Sequence, residues 1–326
     1  MPTLQPFPFG AFVVGAAFLD GRAAFALGDG TVRIVTGPAA EGVTVHTGPI
    51  LATARTQDGR TLVTGGDDGK VMQVTAEGAV SERASHAGRW IDQVAAGPNG
   101  AIAFGAGKRA VVLLPDGKEK RFEHDRTVAG LAFAPKGFRL AVARYNGVSL
   151  WWVNADAPVT ELAWNGAHMA VTFSPDGRYV VTAMQENALH GWRLPEADHL
   201  RMTGYPAKPR SLSWSPRGRY LATSGSESAV VWPFLTKDGP QGKAPLQLAN
   251  RGEPLVTRVA FHPREDVLAV GFRDGVVGIA PIDGSRPQLL RQGDDSPVSA
   301  LAWDDRGARL AFGTEAGDAG LIDLEG

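Results

Sequence analysis

The fold class predicted for this chain is all-β: a closed ring of eight four-stranded antiparallel blades. Three observations in the 326 residues predict it: a turn phrase that recurs eight times, apolar runs of strand length around each copy, and one segment built as a sheet edge. The cleanest copy, FSPDGRYVVTA at residues 173–183, reads as an apolar strand, a tight turn and a second strand. Aligned on the turn, the copies fall at Asp20-Gly21, Asp58-Gly59, Asn99-Gly100, Lys136-Gly137, Asp176-Gly177, Arg217-Gly218, Glu265-Asp266 and Arg306-Gly307. A unit of about 40 residues is one small sheet that cannot cover its own apolar faces. Neighbours must therefore stack, and a ring leaves no face unstacked.

The first strand of most units ends in a bulky residue just before the turn: Phe18, Phe133, Phe173, Trp214, Phe261 and Trp303. Units two and three carry Ala54-Arg55 and Ala95-Ala96 there, so looser packing is expected at those corners. Second strands are the runs VVTA, LAVG or LAFG after the turn, and third strands are β-branched runs such as residues 31–35 and 71–74. Fourth strands, as at residues 42–47 and 118–122, are shorter and more polar, which suits an outer edge that must not pair with other chains. The turn anchors are 38, 41, 37, 40, 41, 48 and 41 residues apart. The long interval holds residues 236–250, a polar excursion read as a solvated rim loop rather than a binding lid.

The eighth unit ends after its third strand, and residues 3–9 are the candidate for its fourth. Pro6 and Pro8 stand two apart, so both missing N–H groups fall on one side of a strand, a pattern that only an edge strand tolerates. Pairing that segment beside the last strand would close the ring. Seven blades plus an irregular segment is the alternative, with the third unit the weakest copy.

The period runs from end to end without a composition break, so residues 1–326 read as one domain. Basic and acidic residues nearly cancel, 33 against 34, which gives no global field toward nucleic acid or an anionic membrane. Cysteine is absent, which excludes disulfides, thiolate zinc sites and a cysteine nucleophile and fits a reducing, cytoplasmic setting. The apolar stretch at residues 7–19 lacks a basic leader and is broken by Pro8, Gly10 and Gly15, so a cleaved signal is not expected. No run reaches the roughly 20 apolar residues of a membrane span.

With strands and turns placed, the chain resembles the WD-repeat β-propeller family over essentially its whole length. Trp151, Trp192 and Trp232 stand where that family ends its third strand in tryptophan, although no aspartate follows any of them. Asp29, Asp68, Asp274 and Asp318 match the family's turn aspartate, and His46, His86 and His124 match its histidine ahead of the first strand. The family joins that histidine, aspartate, a strand hydroxyl and the tryptophan in one hydrogen-bond network. Here only the second unit keeps both His46 and Asp68, and it has Val74 in place of the tryptophan. The resemblance implies a non-catalytic scaffold for protein–protein interaction.

Candidate chemistry is sparse. The glycine-rich GGDDGK at residues 65–70 and GPQGK at 239–243 lack the full spacing of a phosphate loop and a following Ser or Thr, and read as hairpin turns. Adjacent pairs such as Asp67-Asp68 and Asp304-Asp305 sit at turns where aspartate is favoured. The seven histidines show no short ligand spacing, and no Gly-X-Ser-X-Gly occurs, so neither a metal nor a cofactor is expected. Residues 201–220 interleave Lys208, Arg210, Arg217 and Arg219 with Tyr205, Trp214 and Tyr220, but Trp214 and Tyr220 fall at core positions, which argues against nucleic acid.

One constellation stands above this background. Links into first strands and ends of second strands should line the narrow mouth of the ring, which places Arg89, Trp90, Arg126, Arg144, Tyr145, His168, Arg210, Arg258 and Arg273 there, with Lys108 beside them. Arginine and tryptophan are enriched at interface hot spots, and arginine forks fit carboxylates. The expectation is a monomer whose narrow face binds an acidic protein partner. The rival is an enzyme, or a small-ligand or metal binder, working in the axial channel.

Overall fold

The computed structural model describes residues 2–325. Among them the only helix is one 3-10 turn, Pro98–Gly100, and every strand pairing is antiparallel. At seven of the eight turn anchors the glycine has φ between +67° and +80°, the left-handed region that strains any residue with a Cβ. The copy without glycine is held differently: His262 Nδ1 accepts from the backbone N–H of Arg264 and Glu265, at 3.2 and 3.0 Å.

The strands assemble into seven hydrogen-bonded sheets, six of four strands and one of six. The expected eight separate blades are thereby corrected to seven. Units four and five do not separate, because the fourteen-residue strand Thr160–Phe173 pairs with Arg139–Trp152 of unit four and continues onto Tyr179–Met184 of unit five. At Asn146 and Gly147, with φ +68° and +138°, Arg139–Trp152 turns back on itself, which brings the Val153 N–H to the Phe138 carbonyl at 2.8 Å. Its residues 140–143 pair with Gly130–Phe133, and its residues 147–150 pair with residues 160–163. Thr160–Phe173 then continues from His168 onto Tyr179–Met184. The third unit, expected to be the weakest, forms its own sheet from Val94–Ala96, Ile102–Ala106, Arg109–Leu113 and Glu119–Glu123.

Second strands such as Ile102–Ala106 and Tyr179–Met184 are buried along their whole length because a sheet packs on each side. The outer strand Val80–Ser85 is largely exposed. Inner strands are stitched across blades by small hydroxyls: Thr257 Oγ1 donates to the Val298 carbonyl at 2.7 Å, and Ser299 Oγ to the Val13 carbonyl at 2.6 Å. At the corner of unit two, Arg55 replaces the missing ring with a bidentate ion pair to Asp305 at 2.8 and 2.7 Å.

The edge strand forms where the prolines place it. Thr3–Pro8 pairs with Asp318–Asp323, from Thr3 opposite Asp323 to Pro8 opposite Asp318, and is the outermost strand of its sheet. Phe7 is buried there against Phe9 and Phe25, at ring separations of 5.8 and 6.3 Å, and such burial stabilises by about 2–3 kcal/mol.

Polar networks of the kind implied by the resemblance are partial. His46 bridges Asp68 Oδ1 at 2.9 Å and Thr64 Oγ1 at 2.8 Å, and Trp151 Nε1 donates to His124 Nε2 at 3.1 Å. In the sixth unit a tyrosine takes the histidine's part: Trp232 Nε1 donates to the Tyr205 hydroxyl at 2.6 Å, which lies 2.7 Å from Thr223 Oγ1. Residues 236–250 fold back on the rim, with the Tyr179 hydroxyl donating to the Lys237 carbonyl at 2.8 Å and Gln241 to the His199 carbonyl at 3.0 Å.

Candidate functional site at the mouth

The links into first strands and the turns between second and third strands share one face. On it lies a cavity of about 450 Å³ to which four sequence-adjacent units and the segment before Val13–Leu19 contribute. Its cationic lining is Lys208, Arg210, Arg258 and Arg273, against the single carboxylate Glu315. Three of the arginines expected at the mouth are therefore brought together. Among the described residues none of these three forms an ion pair with a carboxylate.

Arg258 is the fixed member. Its Nε donates to the Ser299 carbonyl at 2.6 Å and its Nη1 to the Thr257 carbonyl at 3.0 Å, so the guanidinium is held across the joint between two blades. Burial first, then the charge of Arg210, pulls its pKa below the ordinary arginine value, while Glu315 acts in the opposite direction. A bound anion would relieve that unfavourable field. Arg210 and Arg273 are exposed and free to turn toward a ligand.

The other expected residues go elsewhere. Arg89 and Lys108 line a separate cavity of about 400 Å³ with Glu123. Trp90 is 72% exposed and Tyr145 50%, and neither lines the mouth cavity. Arg126 is exposed, 4.0 Å from Asp125. Arg144 is already occupied, paired with Glu161 and bonded to Ser149 Oγ at 3.2 Å. His168 is corrected outright. It is fully buried, with Nδ1 2.8 Å from Thr182 Oγ1 and Nε2 donating to the Trp164 carbonyl at 3.0 Å, and burial lowers its pKa.

Sequence reasoning missed Glu315, Asn187 and the part Lys208 plays. Lys208 had a signal, since it stands in the basic stretch at residues 201–220, but a groove along one segment was the wrong geometry for it. Among the described residues no group of three or more His, Asp or Glu side chains is placed to hold a metal ion, and no helix is long and apolar enough to cross a membrane.

The family model described as "WD domain, G-beta repeat" matches residues 41–73 and 200–232. WD repeat-containing protein 55 from Homo sapiens is 25% identical over 208 residues, covering 61% of this chain and 52% of that protein. The chain thus spans about half the length of that relative. Telomerase protein component 1 from Rattus norvegicus is 26% identical over 191 residues, 56% of this chain and 7% of that protein. Among solved structures, the crystal structure of the computationally designed Ika8 protein superposes with a TM-score of 0.78 at 20% identity, covering 96% of both chains.

Proposed function

Because the chain belongs to the WD-repeat β-propeller family, we propose that it is a non-catalytic protein-interaction scaffold whose mouth face binds an acidic segment of a protein partner. The observation that carries this reading is the mouth cavity, where four cationic side chains meet one carboxylate and Arg258 is pre-positioned by two carbonyls. Guanidinium groups held in a concave, partly desolvated site favour carboxylates, and pre-positioning lowers the entropy lost on binding. Propellers of this family are generally scaffolds, which agrees with the reading. A cytoplasmic monomer working without a cofactor is part of the same proposal.

The test is binding of a fluorescein-labelled hexaglutamate peptide by anisotropy. Arg210→Glu and Arg273→Glu, both exposed, should each weaken it at least tenfold and leave the thermal midpoint unchanged. Arg258→Glu is not a clean probe, because its bonds to Ser299 and Thr257 also hold two blades together. Unchanged binding by the Arg210→Glu, Arg273→Glu double variant would refute the mouth as the contact.

A further inference from the structure

A second cavity, of about 510 Å³, adjoins the mouth, and Asn187 lines both. We propose that it receives an aromatic side chain of the same acidic segment, so that the partner is read at two points, an anionic group and then a ring. This rests on the mouth reading above and adds the partner's second feature.

One wall of the second cavity is aromatic, within a lining that also carries Asn165, Arg201 and Thr203. Trp164 is half-buried and stacks one face on His190, with centroids 3.9 Å apart and planes 12° from parallel. Met184 and Tyr205 complete that wall. The Tyr205 hydroxyl is engaged by Trp232 and Thr223, so the ring is what it offers a ligand. His190 adds no charge, because burial, then the neighbouring His199, His168 and Arg201, keep it neutral. Arg201 stands exposed at the rim and, among the described residues, has no carboxylate partner. Glu186 also lines the cavity, but its Oε1 accepts from the Ala167 N–H at 3.0 Å. A tryptophan face, a thioether and an unpaired guanidinium form a setting in which an aromatic ring gains from stacking, sulfur contact and cation–π attraction together.

Geometry gives the spacing. Taken as spheres, two cavities of this size have radii of about 5 Å, so adjoining centres lie about 10 Å apart, or about three residues of extended chain at about 3.3 Å each. The aromatic residue should therefore follow the acidic one at about the third position.

The experiment uses the full chain and a series of labelled peptides. Each carries three aspartates and a phenylalanine placed one to five residues beyond them on a Gly/Ser spacer, and each is compared with its alanine counterpart by anisotropy. The expected result is at least a tenfold gain from phenylalanine, largest near the third position. Arg201→Gln and Trp164→Leu should reduce that gain below twofold and leave the alanine counterpart's affinity as it was. Arg201 is exposed, so Arg201→Gln tests the site even if Trp164→Leu disturbs packing. Absence of a phenylalanine gain at every spacing, or a gain that survives both substitutions, overturns the inference. Loss of the Arg210 dependence alone would instead overturn the mouth reading.

Discussion

His190 should make the protein progressively less stable between pH 6.5 and pH 4.5. It is fully buried in the joint that Trp164 covers, and burial with the nearby His199, His168 and Arg201 lowers its pKa to about 3. The unfolded chain takes up the proton near pH 6.5, while the folded chain refuses it until far lower pH. Full stability is therefore present above pH 6.5 and is lost as pH falls, at about 1.4 kcal/mol per pH unit for one such group. At pH 5 the loss is about 2 kcal/mol from His190 alone. Urea unfolding of the natural chain and of His190→Phe at pH 7 and pH 5 isolates the contribution as the difference in pH dependence, since phenylalanine keeps a ring on Trp164 and removes the titrating nitrogen together with its 3.0 Å hydrogen bond to His199. His124 and His168, whose pKa values are also lowered by burial, act alike in both proteins and cancel. Equal pH dependence in the two proteins, or an NMR titration of His190 with a midpoint near 6.5, would refute the reasoning.

Two further outcomes test the packing. Tyr205→Phe removes the hydroxyl shared by Trp232 Nε1 and Thr223 Oγ1 in a buried site, and should cost about 1–3 kcal/mol in thermal or urea unfolding; a neutral effect would mean that the tyrosine does not replace the histidine's role. Phe7→Ala should cost about 3–5 kcal/mol and raise protease sensitivity near the seam between Thr3–Pro8 and Asp318–Asp323; unchanged stability would show that this pairing contributes little to holding the ring.

What the sequence made legible was local chemistry repeated often. The turn glycines require positive φ, and the proline pair requires an edge, so both placements followed from backbone rules that no neighbour can override. The sheet count did not follow. Asn146-Gly147 is the hairpin its composition suggests, whereas Thr160–Phe173 carries the pairing from unit four into unit five although its Asn165-Gly166 reads as a strand end. The same limit applied to the site. Arg144 and Arg210 look alike in the chain, yet Glu161 packs against one and the other faces an open cavity. His168 was placed at the rim by position along the strand, whereas its burial depends on Thr182 and Trp164 closing over it. Tyr205 stands as far before Gly218 as His46 stands before Gly59 and His124 before Gly137, so spacing marked its position and only its residue type concealed the role.

The pairing of Thr3 with Asp323 has a bearing on synthesis. Thr3–Pro8 is synthesised long before Asp318–Asp323, so Phe7 must wait for its partner strand until those later residues emerge. Contacts this remote along the polymer slow folding and prolong the life of open intermediates. The interval before residues 318–323 emerge is when chaperones have most to shield, and a chain broken within residues 318–323 would leave the ring unlatched.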